Sequence, residues 1–149
     1  MNRLARVVVV FGAISLALAG CSAANASGGG NTSNLTYTLS GSVATPNGAT
    51  VNNGTYVYLK LVTSGGAFTA PALYWTRGAF SGGSASYSIS GISAGTYTGW
   101  VFIDMNGDAP DNSSALPDTG DYSLSAGQPI TISGDQTQNV GVNGWQKDS

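Results

Sequence analysis

The residues of this chain best able to do chemistry are its carboxylates. All seven acidic residues are Asp; there is no Glu and no His. Five of the seven fall within Phe102–Ser123: Asp104, Asp108, Asp111, Asp118 and Asp121. In a chain only 8% charged, that is a concentration of negative charge in one place. Asp104, Asn106 and Asp108 form a D-x-N-x-D pattern. Calcium, a hard cation, takes roughly six to eight oxygen ligands, and loops supply them from alternating Asp and Asn side chains. Asp111, Asp118 or Asp121 would close the shell. The run is not an EF-hand, because Gly107, Ala109 and Ala115 stand where that loop's pattern differs, and the residues before it alternate as a strand does. No Lys or Arg lies between Arg77 and Lys147. Clustered like charges with no local counter-charge favour a cation. Asp, Asn, Gly, Pro and Ser are also the residues that build turns through local hydrogen bonds. A calcium site on Asp104, Asn106, Asp108, Asp111, Asp118 and Asp121 and a solvated acidic loop therefore both stand.

Other chemistry is narrower. Without His, and with Cys21 as the single cysteine, neither a Ser-His-Asp nor a Cys-His centre can be built. Zinc sites lean on His and Cys. A Ser–Lys dyad would need Lys60 or Lys147, and neither has a distinctive Ser motif beside it. Paired-Asp glycosidases occupy deep clefts of larger folds. The expectation is that the protein is not an enzyme. Beyond residue 20 the basic residues are Lys60, Arg77 and Lys147, too few to neutralise a phosphate backbone, so no nucleic acid is expected as a partner. A second candidate surface is aromatic. Tyr56 and Tyr58 share a strand face, and beside Trp100 they would form a patch able to stack on sugars. Burial of the same residues under the segment 65–83 is the alternative.

The elements that must position these residues are strands. Leu35, Tyr37 and Leu39 alternate with Thr36, Thr38 and Ser40. Period-two runs follow over 55–63, 85–92, 96–104, 121–124, 129–133 and 136–142, with a weaker one at 72–76. Turn formers separate them, such as Asn52-Asn53-Gly54, Ser64-Gly65-Gly66 and Ser81-Gly82-Gly83. Many short alternating runs with frequent Gly and Asn turns predict an all-β fold, a single antiparallel β-sandwich of about seven or eight short strands over 35–149. In Thr96–Asp104 both faces are largely apolar, which predicts a central strand covered on both sides. The phrase Tyr37-Thr38-Leu39-Ser40-Gly41 returns as Tyr87-Ser88-Ile89-Ser90-Gly91 and loosely as Tyr122–Ala126. Each copy is expected to end a strand before a tight turn.

The N-terminal residues carry a different signal. Arg3 and Arg6 precede an apolar run over 7–18, then Leu18-Ala19-Gly20-Cys21. A charged start, a dozen apolar residues and small residues at a cut describe a secretory signal, and the run is short for a membrane span. Its ending resembles the lipobox of bacterial lipoproteins. That resemblance implies a cleaved signal peptide over 1–20 and lipidation of Cys21, with several acyl chains giving stable membrane attachment. Ser22 implies the outer membrane if the organism is Gram-negative. Residues 21–34, rich in Gly, Ser and Asn with nothing large to bury, read as the lipidated Cys and a flexible tether.

Within the domain, Ser90–Thr98 resembles the turn of carboxypeptidase-regulatory-like and transthyretin-like β-sandwich domains. Leu39–Val43 and Tyr56–Leu59 resemble their first two strands. Phe102-Ile103-Asp104-Met105-Asn106-Gly107-Asp108 resembles the calcium-binding loop of B-type adhesin repeats, although Ala109 departs from it and Asp118-Thr119-Gly120-Asp121 only approximates its ending. The resemblance implies a non-catalytic binding or structural module in the cell envelope, with calcium as the implied ion and a protein or glycan as partner. A carbohydrate-binding module using Tyr56, Tyr58 and Trp100 is the alternative.

Overall fold

The structure, a computed structural model, describes residues 35–149. The signal peptide expected over 1–20, Cys21 and the tether expected over 21–34 lie outside the described residues. Among the described residues there is no helix, and the fold is all-β.

Nine strands form: β1 (Thr36–Ala44), β2 (Tyr56–Thr63), β3 (Tyr74–Ser81), β4 (Ser84–Ser93), β5 (Gly95–Asp104), β6 (Tyr122–Leu124), β7 (Gln128–Ile132), β8 (Gln136–Thr137) and β9 (Trp145–Lys147). Their order is β8-β1-β4-β3-β2-β5-β6-β9, with β7 also paired to β5. The expected count of seven or eight is exceeded by short edge strands. The expected separate layers are joined into one curled sheet, because β3 pairs β2 along Tyr74–Ala79 and β4 at Phe80 and Ser81. The pairing is also mixed rather than wholly antiparallel. β8 runs parallel to β1, and a parallel bridge joins Val43 to Val140.

Alternation decides which side chains go inside. In β4, Ala85, Tyr87 and Ile89 are buried while the serines between them are exposed. Leu39 and Val43 of β1, Val57, Leu59 and Leu61 of β2, Phe80, and Val101 and Ile103 of β5 join them in the principal core, which Ile130 and Ile132 of β7 complete. The curl of the sheet brings β1 and β4 over β2 and β5, so each element buries an apolar face that water would otherwise cover.

The third copy of the repeated phrase ends β6 at Leu124 as expected, but the phrase has a different role in its other two copies. Its first two copies lie in β1 and β4, which pair antiparallel with Leu39 opposite Ile89 and Gly41 opposite Tyr87. Gly41 is therefore mid-strand and ends nothing. A Cβ at that position would run into the Gln138 carbonyl oxygen. Glycine lets the 136–140 segment lie flat on the edge of β1, where Gln138 N–H donates to Ser40 O and Val140 N–H to Ser42 O, both at 2.8 Å. Side chains extend this seam: Asp135 Oδ1 accepts from Thr38 N–H at 2.7 Å, and Asn139 Oδ1 from Ser42 N–H at 2.9 Å.

β5 is central, between β2 on one side and β6 and β7 on the other. Both of its faces are covered, as its composition predicts. Tyr97, Val101 and Ile103 enter the principal core, whereas Phe102 enters a smaller cluster on the outer face with Tyr58 and Ala115. Phe68 and Trp75 pack against that cluster. Within the segment 65–83, expected as the alternative cover, Phe80 belongs instead to the inner core, because it alternates to the other face of β3, and Leu73 is exposed.

Candidate functional site

The acidic loop, residues 105–121, leaves the end of β5 and returns in β6. Two buried carboxylates hold its ends. Asp104 is the last residue of β5 and only 2% exposed. Its Oδ1 accepts from Gly107 N–H at 2.7 Å and its Oδ2 from Ala109 N–H at 3.3 Å. Asp121 is fully buried; its Oδ1 accepts from Met105 N–H at 2.8 Å and its Oδ2 from Asp118 N–H at 3.1 Å. Burying a carboxylate is costly unless donors replace its water, and here backbone amides of the loop do so. The side chains therefore dictate where the chain turns. Burial still dominates at Asp121 and raises its pKa from the usual carboxylate value, opposed by the Met105 and Asp118 amides.

Between these braces sit Asn106, Asp108 and Asp118, all exposed. The Asn106 amide Nδ2 donates to Asp108 Oδ2 at 3.0 Å and to Asp118 Oδ1 at 3.3 Å. Loss of water raises the Asp108 pKa, and the neighbouring Asp118 and Asp104 carboxyls raise it further. One amide group thus bridges two carboxylates that repel each other.

The remaining acid of the set is elsewhere. Asp111 Oδ2 pairs with the Arg77 guanidinium of β3 at 2.6 Å. The loop does receive a counter-charge, from a residue 34 positions earlier that crosses the sheet to reach it. This corrects the expectation of a loop without local neutralisation, and it takes Asp111 out of the ligand set. With side-chain exposures of 32% and 53%, such a pair contributes about 0–1 kcal/mol, so it orients the loop more than it stabilises it. Asp148, which lies outside the motif, closes the far side. Its N–H donates to Asp121 O at 2.8 Å and its carbonyl accepts from Gly120 N–H at 2.9 Å. Its Oδ2 is buried with no partner among the described residues. Only the pairing of β6 with β9 brings it there, so no local signal could have revealed it.

Asp108 and Asp118 carboxylates and the Asn106 amide oxygen are donors of the kind a hard cation takes. The arrangement is incomplete. Among the described residues no group of three or more His, Cys, Asp or Glu side chains converges as metal ligands. At present the Asn106 Nδ2 occupies the position between Asp108 and Asp118 that a cation would take.

The aromatic residues do not form the open patch that the second candidate required. Tyr58 is buried, stacks on Phe102 at 4.8 Å between centroids, and donates its hydroxyl to Ala109 O at 3.1 Å. Trp100 is half-buried beneath Phe68, and its Nε1–H donates to Gly66 O at 3.1 Å. Tyr56 alone is exposed, at 37%, and the Arg77 guanidinium lies 4.2 Å from its ring centroid. The acidic loop and the 64–73 loop both fold onto this face, since large aromatic area left in water is costly. Searches for a matching family model, curated protein or solved structure found none.

Proposed function

We propose that this chain is a non-catalytic cell-envelope lipoprotein. Cys21 carries the lipid, residues 21–34 space the domain from the membrane, and the β-domain serves as a binding or support module whose acidic rim takes one calcium ion. The observation that carries the calcium reading is the bracing of the loop by Asp104 and Asp121. Both spend their oxygens on the loop's own amides, which leaves Asp108 and Asp118 facing each other across Asn106. Asp108, Asp118 and the Asn106 oxygen would hold the ion, with backbone carbonyls and water completing its shell. Bound calcium would supply the positive charge that the rim lacks. The set is smaller than the six residues that the motif suggests, because Asp111 is committed to Arg77 and two further acids are structural.

The test is thermal unfolding of the mature chain in millimolar calcium and in EDTA. A melting temperature higher in calcium, with the difference lost in Asp108→Asn/Asp118→Asn, supports the site. Coincident curves in calcium and EDTA would remove calcium from the reading and leave an acidic solvated loop.

A further inference from the structure

Before a glycine, an asparagine side chain is open to attack by the backbone nitrogen that follows it, because glycine sets no side chain in the way. The chain has four such pairs: Asn47-Gly48, Asn53-Gly54, Asn106-Gly107 and Asn143-Gly144. All eight residues are exposed, and the four glycines share a left-handed φ of 79°, 87°, 78° and 86°. Neither access to water nor the glycine's conformation separates them. Hydrogen bonding does.

Two of the pairs sit in turns built alike. Ala49 N–H donates to Pro46 O at 3.1 Å to close one, and Thr55 N–H donates to Asn52 O at 3.2 Å to close the other. In the second turn Gly54 N–H also donates to Phe80 O at 2.9 Å, and Phe80 N–H donates to Thr55 O at 2.9 Å. Asn53 Oδ1 accepts from Gly82 N–H at 3.0 Å. The nitrogen and the side-chain amide of this pair are both tied to the end of β3 and the turn after it. In the first turn neither Gly48 N–H nor the Asn47 side chain has a hydrogen-bond partner among the described residues. The other two pairs divide the same way. Gly107 N–H donates to Asp104 Oδ1 at 2.7 Å, and the Asn106 amide is held by Asp108 and Asp118. Gly144 N–H and the Asn143 side chain have no partner among the described residues.

We propose that Asn47 and Asn143 are sites of spontaneous deamidation and that the fold protects Asn53 and Asn106. The Gly48 nitrogen attacks Asn47 Cγ, the Cγ–Nδ2 bond breaks, and ammonia leaves with the proton that the nitrogen gives up. Water then opens the resulting succinimide at either carbonyl, giving aspartate or isoaspartate, and nothing is oxidised or reduced. Gly144 and Asn143 react in the same way. For the attack the glycine nitrogen must swing onto the neighbouring Cγ. At Asn47 that motion opposes only the hydrogen bond that closes the turn. At Asn53 it must also break the bonds to Phe80 and Gly82, and at Asn106 those to Asp104, Asp108 and Asp118. The two reactive turns adjoin, since Asn47 N–H donates to Val142 O at 2.9 Å. Conversion of both therefore places two new negative charges at one end of the seam along β1.

The test incubates the protein in mildly alkaline buffer, native and unfolded in urea. Mass spectrometry then follows each Asn-Gly peptide for the amide-to-acid mass change and for isoaspartate. In the native protein Asn47 and Asn143 should convert about tenfold faster than Asn53 and Asn106, or more, since the protected pairs must first open several hydrogen bonds. In urea the four rates should converge. Asn47→Ser/Asn143→Ser should lose the acidic forms that ion exchange resolves in the aged parent, whereas Asn53→Ser should keep them. A native rate at Asn47 or Asn143 no higher than those at Asn53 and Asn106, or a spread that persists in urea, overturns the proposal.

Discussion

At the residue scale, similar side chains at the rim do different work. Asp104 and Asp121 are buried and satisfied by backbone amides, whereas Asp108 and Asp118 are exposed and share one Asn106 amide. The consequence is a pH dependence with a definite sign. The carboxyls of Asp108 and Asp121 have pKa values raised on folding, by loss of water first and neighbouring carboxylates after. Between the unfolded value, about 3.9, and the raised folded value, the folded state binds more protons, so stability falls as pH rises through that window. In EDTA these two carboxyls should make the protein more stable as the pH is lowered from neutrality through their raised folded values. Asp108→Asn removes part of that gain and raises the melting temperature at pH 7 in EDTA. Parallel pH profiles for the variant and the parent would show that the carboxyls do not repel as described. The D-x-N-x-D spacing was legible in the sequence, as was the turn chemistry around it. The division of labour was not, because it depends on which carboxylates the sheet buries. Arg77 and Asp148 were equally illegible, since each reaches the loop from a strand distant in sequence.

At the scale of elements, alternation was sufficient to find β1, β2, β4 and β5 but caught only the start of β3, as a weaker run at 72–76, and the two covered faces of β5 followed from its composition. What alternation could not supply was pairing. A period-two run carries no mark of which neighbour it will take, or in which direction, so the parallel seam between β1 and 136–140 went unforeseen. That seam makes two predictions. Gly41→Ala should destabilise the domain by about 2–3 kcal/mol, since the added methyl meets a backbone carbonyl that cannot move without breaking the seam. Denaturant unfolding measures this, and a loss below about 0.5 kcal/mol, the range of ordinary surface changes, would mean that the seam is slack. Tyr87 donates its hydroxyl to Gln138 O, and burial pushes its pKa up to about 12. A phenol whose folded value is raised contributes stability that is present below its unfolded value, near 10, and is lost as pH rises from there through about 12. Tyr87→Phe should cost about 1 kcal/mol at neutral pH and make alkaline unfolding between about pH 10 and 12 shallower. An unchanged alkaline profile would assign that transition to other groups.

At the scale of the whole molecule, a lipid on Cys21 would hold the β-domain at a membrane. Metabolic labelling with palmitate should mark the parent and leave Cys21→Ala unlabelled and released from the membrane fraction; persistent labelling of the variant would refute the anchor. By itself the sequence determined the all-β class, the absence of His and the place of the acidic loop. These follow from composition and short-range periodicity, which are local properties. Only the tertiary structure decided the rest: one curled mixed sheet in place of two antiparallel layers, Tyr58 and Trp100 covered instead of open, Asp111 paired with Arg77, and Lys60 laid over the Phe68 ring. Each of these is a juxtaposition of residues far apart in the chain. Such pairings are chosen by which packing buries the most apolar area while leaving the fewest polar groups unmatched, and that balance is struck over the whole fold.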